Sequence, residues 1–129
     1  MGEYDTQIVS IVDDDESLRR SLKNLLGSAG FRVETFASAE AFLQSIHQEQ
    51  TGCLVLDLRM PSMNGFDLLS HLSGTGCRIP AVILTAHGDD EVRRRSLQAG
   101  AVAFLSKPFN SNALLDAVRS ALDQGRRPG

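Results

Sequence analysis

The chain has 129 residues, 42% hydrophobic and 22% charged, which suits one ordinary soluble globular domain with a genuine core. Its formal net charge of −3 argues against a nucleic-acid-binding surface as the main business of this segment. No apolar run approaches the roughly 20 residues of a membrane helix, and the N-terminus lacks a basic stretch leading into an apolar signal core, so a cytoplasmic protein that does not enter the membrane is expected.

After a polar segment, Met1 to Thr6, the run Gln7-Ile8-Val9-Ser10-Ile11-Val12 reads as a first strand and ends on Asp13-Asp14-Asp15. Leu18, Leu22, Leu25, Leu26 and Ala29 recur at helical spacing, and Gly30 supplies a left-handed stop. Arg32 to Phe36 alternates, as a half-exposed edge strand does, and Ser38 can cap a second helix with Ala39, Phe42, Leu43 and Ile46 on its apolar face.

Gly52-Cys53-Leu54-Val55-Leu56-Asp57-Leu58-Arg59-Met60-Pro61 is short, lacks alternation and is bounded by glycine and proline. That pattern predicts a third strand buried on both faces, delivering Asp57 at its carboxyl edge. Cys53 acts there as a small hydrophobe, and neither it nor Cys77 has partners at zinc spacing. Ser62-Met63-Asn64-Gly65 leads into a helix with Phe66, Leu69 and Leu72 on one face, broken by Gly74 and Gly76.

Ile79 to Leu84 is the fourth strand, with Pro80 confined to its start, and it ends on Thr85. Asp89, Asp90 or Glu91 opens a helix that passes Leu97 and Ala99 and stops at Gly100. Its Arg93-Arg94-Arg95 run is expected to form solvated pairs with the acids four residues earlier. Ala101 to Leu105 is the fifth strand, followed by Ser106, Lys107 and Pro108, and a last helix carries Leu114, Leu115, Val118, Ala121 and Leu122. The domain is taken as residues 1–124, with 125–129 a polar tail or the start of a linker.

Alternating strands and helices with short connections predict a doubly wound, flavodoxin-like (βα)5 fold of the α/β class. Its parallel five-stranded sheet should have the common order 2-1-3-4-5. In that order Asp13 and Asp14, Asp57, Thr85 and Lys107 follow adjacent strands and must converge. Clustered carboxylates repel one another and call for a cation, of which magnesium is the usual partner for carboxylates plus a phosphate. A hydroxyl and an ammonium on the far side suit the remaining oxygens of a phosphoryl group.

Over nearly its whole length the chain resembles the receiver domain of two-component response regulators. The match is carried by Asp13-Asp14, by Leu56-Asp57-Leu58-Arg59-Met60-Pro61, by Thr85-Ala86 and by Lys107-Pro108-Phe109. Asn64-Gly65, the Thr85-Ala86-His87-Gly88-Asp89 run and Ala99-Gly100-Ala101 look closest to the FixJ-type subgroup.

The resemblance implies that Asp57 accepts a phosphoryl group from a histidine kinase, in a signalling switch rather than an enzyme. Mg2+ or Mn2+ would be held by Asp14 and Asp57 directly, by Asp13 through a water and by the backbone carbonyl of Arg59. Lys107, the Thr85 hydroxyl and the Ala86 backbone would bind phosphoryl oxygens. The Lys107-Pro108 peptide would be cis. Thr85 and Phe104 would act as a switch that remodels the face of the fourth helix and fifth strand, through which a phosphorylation-dependent homodimer could form. Arg59 and His87 border the site where the family tunes phosphoryl lifetime. The output would be transcriptional, through a linked DNA-binding domain. The alternative is a stand-alone receiver acting through protein contacts, or as a phosphate relay or sink.

Taken singly, these residues have plainer readings. Asp13 to Asp15 could be an acidic helix start, Phe104 core packing, and Arg59 and His87 exposed loop side chains. A haloacid-dehalogenase-type phosphatase would carry a second aspartate two residues after the nucleophile, where Arg59 stands. A flavodoxin-like carrier would have a hydroxyl- and glycine-rich first loop, whereas this one is acidic. A receiver reduced to a binding module would have lost a site residue, and all are present.

Overall fold

Apolar runs that must be buried on both faces need helices above and below them, and the chain supplies these in strict alternation. A computed structural model describes residues 7–45, 50–76, 79–86 and 88–126. Along these run β1 (Ile8–Val12), α1 (Glu16–Ser28), β2 (Arg32–Phe36), α2 (Ala39–Leu43), β3 (Thr51–Leu56), α3 (Gly65–Gly74), β4 (Ala81–Thr85), α4 (Asp90–Gln98), β5 (Ala101–Ser106) and α5 (Ser111–Arg126). The five-stranded sheet is parallel throughout, in the order β2-β1-β3-β4-β5. The expected fold class and strand order are therefore the observed ones, with β1 and β3 adjacent where the winding reverses.

Successive strand residues point to opposite faces, so each strand feeds two cores. Val9, Ile11, Cys53, Val55, Val82 and Leu84 pack with Leu22 and Leu26 of α1 and with Leu114, Val118 and Leu122 of α5. On the other face Val12, Leu54, Leu56 and Ile83 meet Phe42 of α2 and Leu68, Leu69 and Leu72 of α3. The central strands β1, β3 and β4 are almost wholly buried, while β2 is half-exposed as an edge should be. Cys53 is fully buried and its thiol is pushed up to about 12, which fits a packing role and an unreactive sulfur.

Polar side chains set the helix starts. Asp15, Ser38, Asn64 and Asp89 each accept from a backbone N–H in the first turn, and Asn64 with Asp67 closes a full capping box. Gly30, Gly76 and Gly100 follow α1, α3 and α4 at φ +95, +77 and +104, where a side chain would be strained. Gly74 does not break α3 but is its last residue.

Several local expectations shift. On α3, Leu68 joins Leu69 and Leu72 in the core, while Phe66 is only half-buried. The Arg93-Arg94-Arg95 pairs do not form among the described residues, because the Asp89 carboxylate is occupied as N-cap by the Val92 N–H and Arg95 lies elsewhere, 4.0 Å above the Phe66 ring. Helix α5 continues through Gly125 to Arg126, two residues into the stretch read as tail, since one glycine near a helix end costs only about 1 kcal/mol. Ile46, Cys77 and His87 lie outside the described residues.

Candidate functional site

The ladder ends of adjacent strands build the site. The Asp13 N–H donates to Phe36 O at 3.1 Å, and the Asp57 N–H to Val12 O at 3.1 Å, so both acids sit one residue beyond their strands at the same edge. On the other side of β3, the Lys107 N–H donates to Thr85 O at 2.9 Å, fixing the end of β5 against the end of β4. The sequence-predicted groups from β1, β3, β4 and β5 thus share one edge of the sheet.

Carboxylate oxygens of Asp13, Asp14 and Asp57 lie within 4.8 Å of one another. Asp13 and Asp57 are buried, whereas Asp14 is exposed. The Lys107 Nζ reaches across the sheet edge to Asp13 Oδ2 at 2.9 Å and Asp57 Oδ2 at 3.4 Å. Backbone donors add to this: the Asp15 N–H bonds Asp13 Oδ1 at 2.9 Å, and the Arg59 N–H bonds Asp57 Oδ1 at 3.3 Å.

The charge balance is uneven. Burial pushes the Asp13 carboxyl above its ordinary range, only partly offset by the Lys107 hydrogen bond and the Asp15 N–H, with the charge of Asp57 adding to the rise. Burial by itself would lower the Lys107 pKa, but the hydrogen bond and charge of Asp13 and the charge of Asp57 outweigh it and hold the ammonium raised. One ammonium bonds two of the three carboxylates, all hard oxygen donors gathered at a common point. Such a set fits a small divalent cation better than any soft metal.

Thr85 is fully buried at the end of β4 and lines a cavity of about 230 Å³ with Leu58, Arg59, Asn64, Phe66 and Val92. Ala86 is exposed one residue further on, and Arg59 is exposed beside the cavity. Phe104 is half-buried against the core of the α2–α3 face. Its ring lies directly over Gly88, where an added Cβ would stand 2.5 Å from Phe104 Cζ. The Lys107-Pro108 peptide is cis.

Three contributors escaped sequence reasoning. Gly65 passes so close to the end of β3 that a Cβ would stand 2.7 Å from Asp57 O; its place after Asn64 marks a helix start, not this approach. Arg19 Nη1 donates to the Asp13 carbonyl at 2.8 Å, with no sequence signal beyond its position one turn into α1. Arg95 stacks on Phe66, which lines the cavity, and the stack escaped because the arginine run suggested ion pairs within its own helix.

Comparison with known proteins agrees with this fold. Residues 9–119 match the family model of the response regulator receiver domain. The chain is 46% identical over 120 residues to nodulation protein W of Bradyrhizobium diazoefficiens, covering 93% of this chain and 53% of that protein. It is 42% identical over 113 residues to the transcriptional regulatory protein FixJ of Rhizobium meliloti, covering 88% and 55% respectively. Among solved structures, the response regulator StyR aligns with a TM-score of 0.86 at 50% identity, over 93% of this chain and 61% of that one. FixJ-N aligns with a TM-score of 0.85 at 39% identity, over 100% and 99%. The chain spans about half the length of the curated relatives it matches.

Proposed function

The chain belongs to the receiver domain family of response regulators, and from that premise we propose that Asp57 is its phosphoryl acceptor, loaded by a histidine kinase. A carboxylate oxygen of Asp57 attacks phosphorus, the P–N bond of the phosphohistidine breaks, and the imidazole leaves with the bonding pair and takes up a proton. The observation that carries this reading is the convergence of Asp13, Asp14, Asp57 and Lys107 at one sheet edge. Transfer of this kind relies on positioning and charge neutralisation more than on covalent help from other side chains.

Asp14 and Asp57 would hold Mg2+ or Mn2+ directly, with Asp13 behind a water and the Arg59 carbonyl completing the protein's share. When bound, the ion would supply positive charge to the phosphoryl oxygens. Lys107, already 3.4 Å from Asp57 Oδ2, binds a phosphoryl oxygen, and the Thr85 hydroxyl and Ala86 N–H bind another. The Arg59 N–H keeps the Asp57 carboxylate oriented. Arg59 and His87 adjust water access to the aspartyl phosphate.

Thr85 moves toward the phosphoryl group, and the Phe104 ring turns inward to follow it. The burial of Thr85 beside a cavity and the packing of Phe104 over Gly88 support this switch. The face of α4 and β5 changes as a result and pairs with a second copy, a role favoured by the exposure of Leu97 on α4. By similarity to the transcriptional regulator FixJ, the switched face governs a transcriptional output.

Incubation with radiolabelled acetyl phosphate and magnesium should label the protein, and Asp57→Asn should abolish the label. Undiminished labelling of that variant refutes the assignment.

A further inference from the structure

Three acids form the cluster, and two of them are held by their side chains. Lys107 and the Asp15 N–H fix the Asp13 carboxylate, while Lys107 and the Arg59 N–H fix that of Asp57. Asp14 is different. Its side chain is exposed, and among the described residues its carboxylate has no hydrogen bond or ion pair. With no side-chain partner to hold it, the region that carboxylate can reach is set by the backbone position of its Cα.

That backbone lies just past the sheet. Val12 O is the last carbonyl of β1 to accept from a neighbouring strand, and no backbone donor reaches Asp13 O among the described residues. Arg19 Nη1 takes the vacant place at 2.8 Å. Side chains on a helix lean toward its N-terminus, so an arginine one turn into α1 is well placed to reach back to the end of β1. A peptide unit is planar, so holding the Asp13 oxygen also holds the nitrogen and Cα of Asp14 in that plane.

We propose that Arg19 is a positioning residue of the divalent-cation site, fixing the Asp13–Asp14 peptide so that the otherwise unsupported Asp14 carboxylate faces Asp13 and Asp57. The proposal rests on the reading of those acids as a metal site. It makes a prediction opposite in sign to simple electrostatics. A cation beside a cation site repels the incoming ion, so removing its charge alone would tighten binding. Removing the hold on the peptide would loosen it.

Magnesium affinity is measured by titration calorimetry, and manganese affinity by the spin-resonance signal of the free ion, both without any phosphoryl donor. Arg19→Met should weaken both by about tenfold, the lower end of what lost supporting contacts cost at metal sites. Arg20→Met removes a charge from the same helix, where Arg20 is largely exposed 3.7 Å from Glu16, and should leave affinity unchanged or slightly raised. Arg19→Lys keeps the charge and one donor but not the planar fork, and should fall between the unaltered protein and Arg19→Met. It also keeps the test intact if Arg19→Met does not fold.

Tighter binding by Arg19→Met would overturn the proposal in favour of a charge effect. Lower thermal stability at unchanged affinity would overturn it in favour of a strand-end cap, as would full affinity in Arg19→Lys. If the unaltered protein bound no magnesium, or Asp14→Asn bound it as well, the metal reading itself would fall and this inference with it.

Discussion

Replacing Lys107 with methionine keeps most of the side chain's bulk and removes the ammonium that two buried carboxylates share. At an effective dielectric of about 20, a charge pair at the 2.9 Å of Lys107 and Asp13 attracts by roughly 6 kcal/mol, and one at the 3.4 Å of Lys107 and Asp57 by roughly 5 kcal/mol. Most of that is offset by the desolvation of all three groups. Stranding a fully buried partner costs about 3–5 kcal/mol, and the Lys107 side chain is 20% exposed, so about 2–4 kcal/mol is expected at pH 7.5 in metal-free protein.

The loss should depend on pH. The folded-state pKa of Asp13 is raised above its ordinary 3.8, so its contribution to stability is fully present below that value and is lost as pH rises through the folded one. Without Lys107 that folded value climbs further. Its carboxyl in the variant then takes up a proton at a higher pH, and the gap to the unaltered protein narrows as pH falls. The Lys107 contribution is present below 10.5 and fades only as pH rises through its own raised value, so the gap also closes in strong alkali.

Urea unfolding followed by far-ultraviolet circular dichroism is the suitable assay, because the chain has no tryptophan and a single tyrosine. The midpoint should fall by about 1–2 M. A variant as stable as the unaltered protein at pH 7.5, or a loss that does not shrink anywhere as the pH is lowered, would refute the reasoning.

Two further substitutions test the packing around Phe104 and Phe66. Gly88→Ala places a methyl group against the Phe104 ring and should destabilise by about 1–3 kcal/mol; in a Phe104→Leu background most of that loss should vanish, measured as a double-mutant cycle by urea unfolding. Equal losses in both backgrounds would contradict the contact. Arg95→Gln removes the guanidinium from the Phe66 ring and should lower stability by about 0.5–1 kcal/mol, whereas Arg94→Gln on the same helix should change it by less than half as much.

The strands and their tips were legible because a buried parallel strand has an unambiguous signature. Ile8 to Val12, Cys53 to Leu56 and Ala81 to Leu84 are nearly pure apolar runs, and each stops on a polar residue that the sheet edge then collects. Strand order followed from the alternation of elements, since few topologies remain once crossovers are right-handed. Contacts between side chains of different elements were less legible. Nothing in the order of residues shows that Arg95 crosses to Phe66, that Arg19 reaches Asp13 O, or that Gly65 lies against Asp57 O. The burial of Leu68 was missed on α3 because Phe66, Leu69 and Leu72 already made a plausible stripe, and the Arg95 stack lets Phe66 sit at its half-exposed margin.

The bond from Lys107 to Asp13 spans 94 positions of sequence, which sets a timetable for a chain made from its N-terminus. Asp13, Asp14 and Asp57 leave the ribosome well before β5 does, and β1 and β3 can pair as soon as both are free. Until β5 docks on β4, those acids face each other without their ammonium. A half-made chain thus carries the Asp57 carboxylate but not the ammonium that bonds it. On the proposed reading of Asp57, phosphoryl acceptance would arrive only with the last strand, when Lys107 closes the edge.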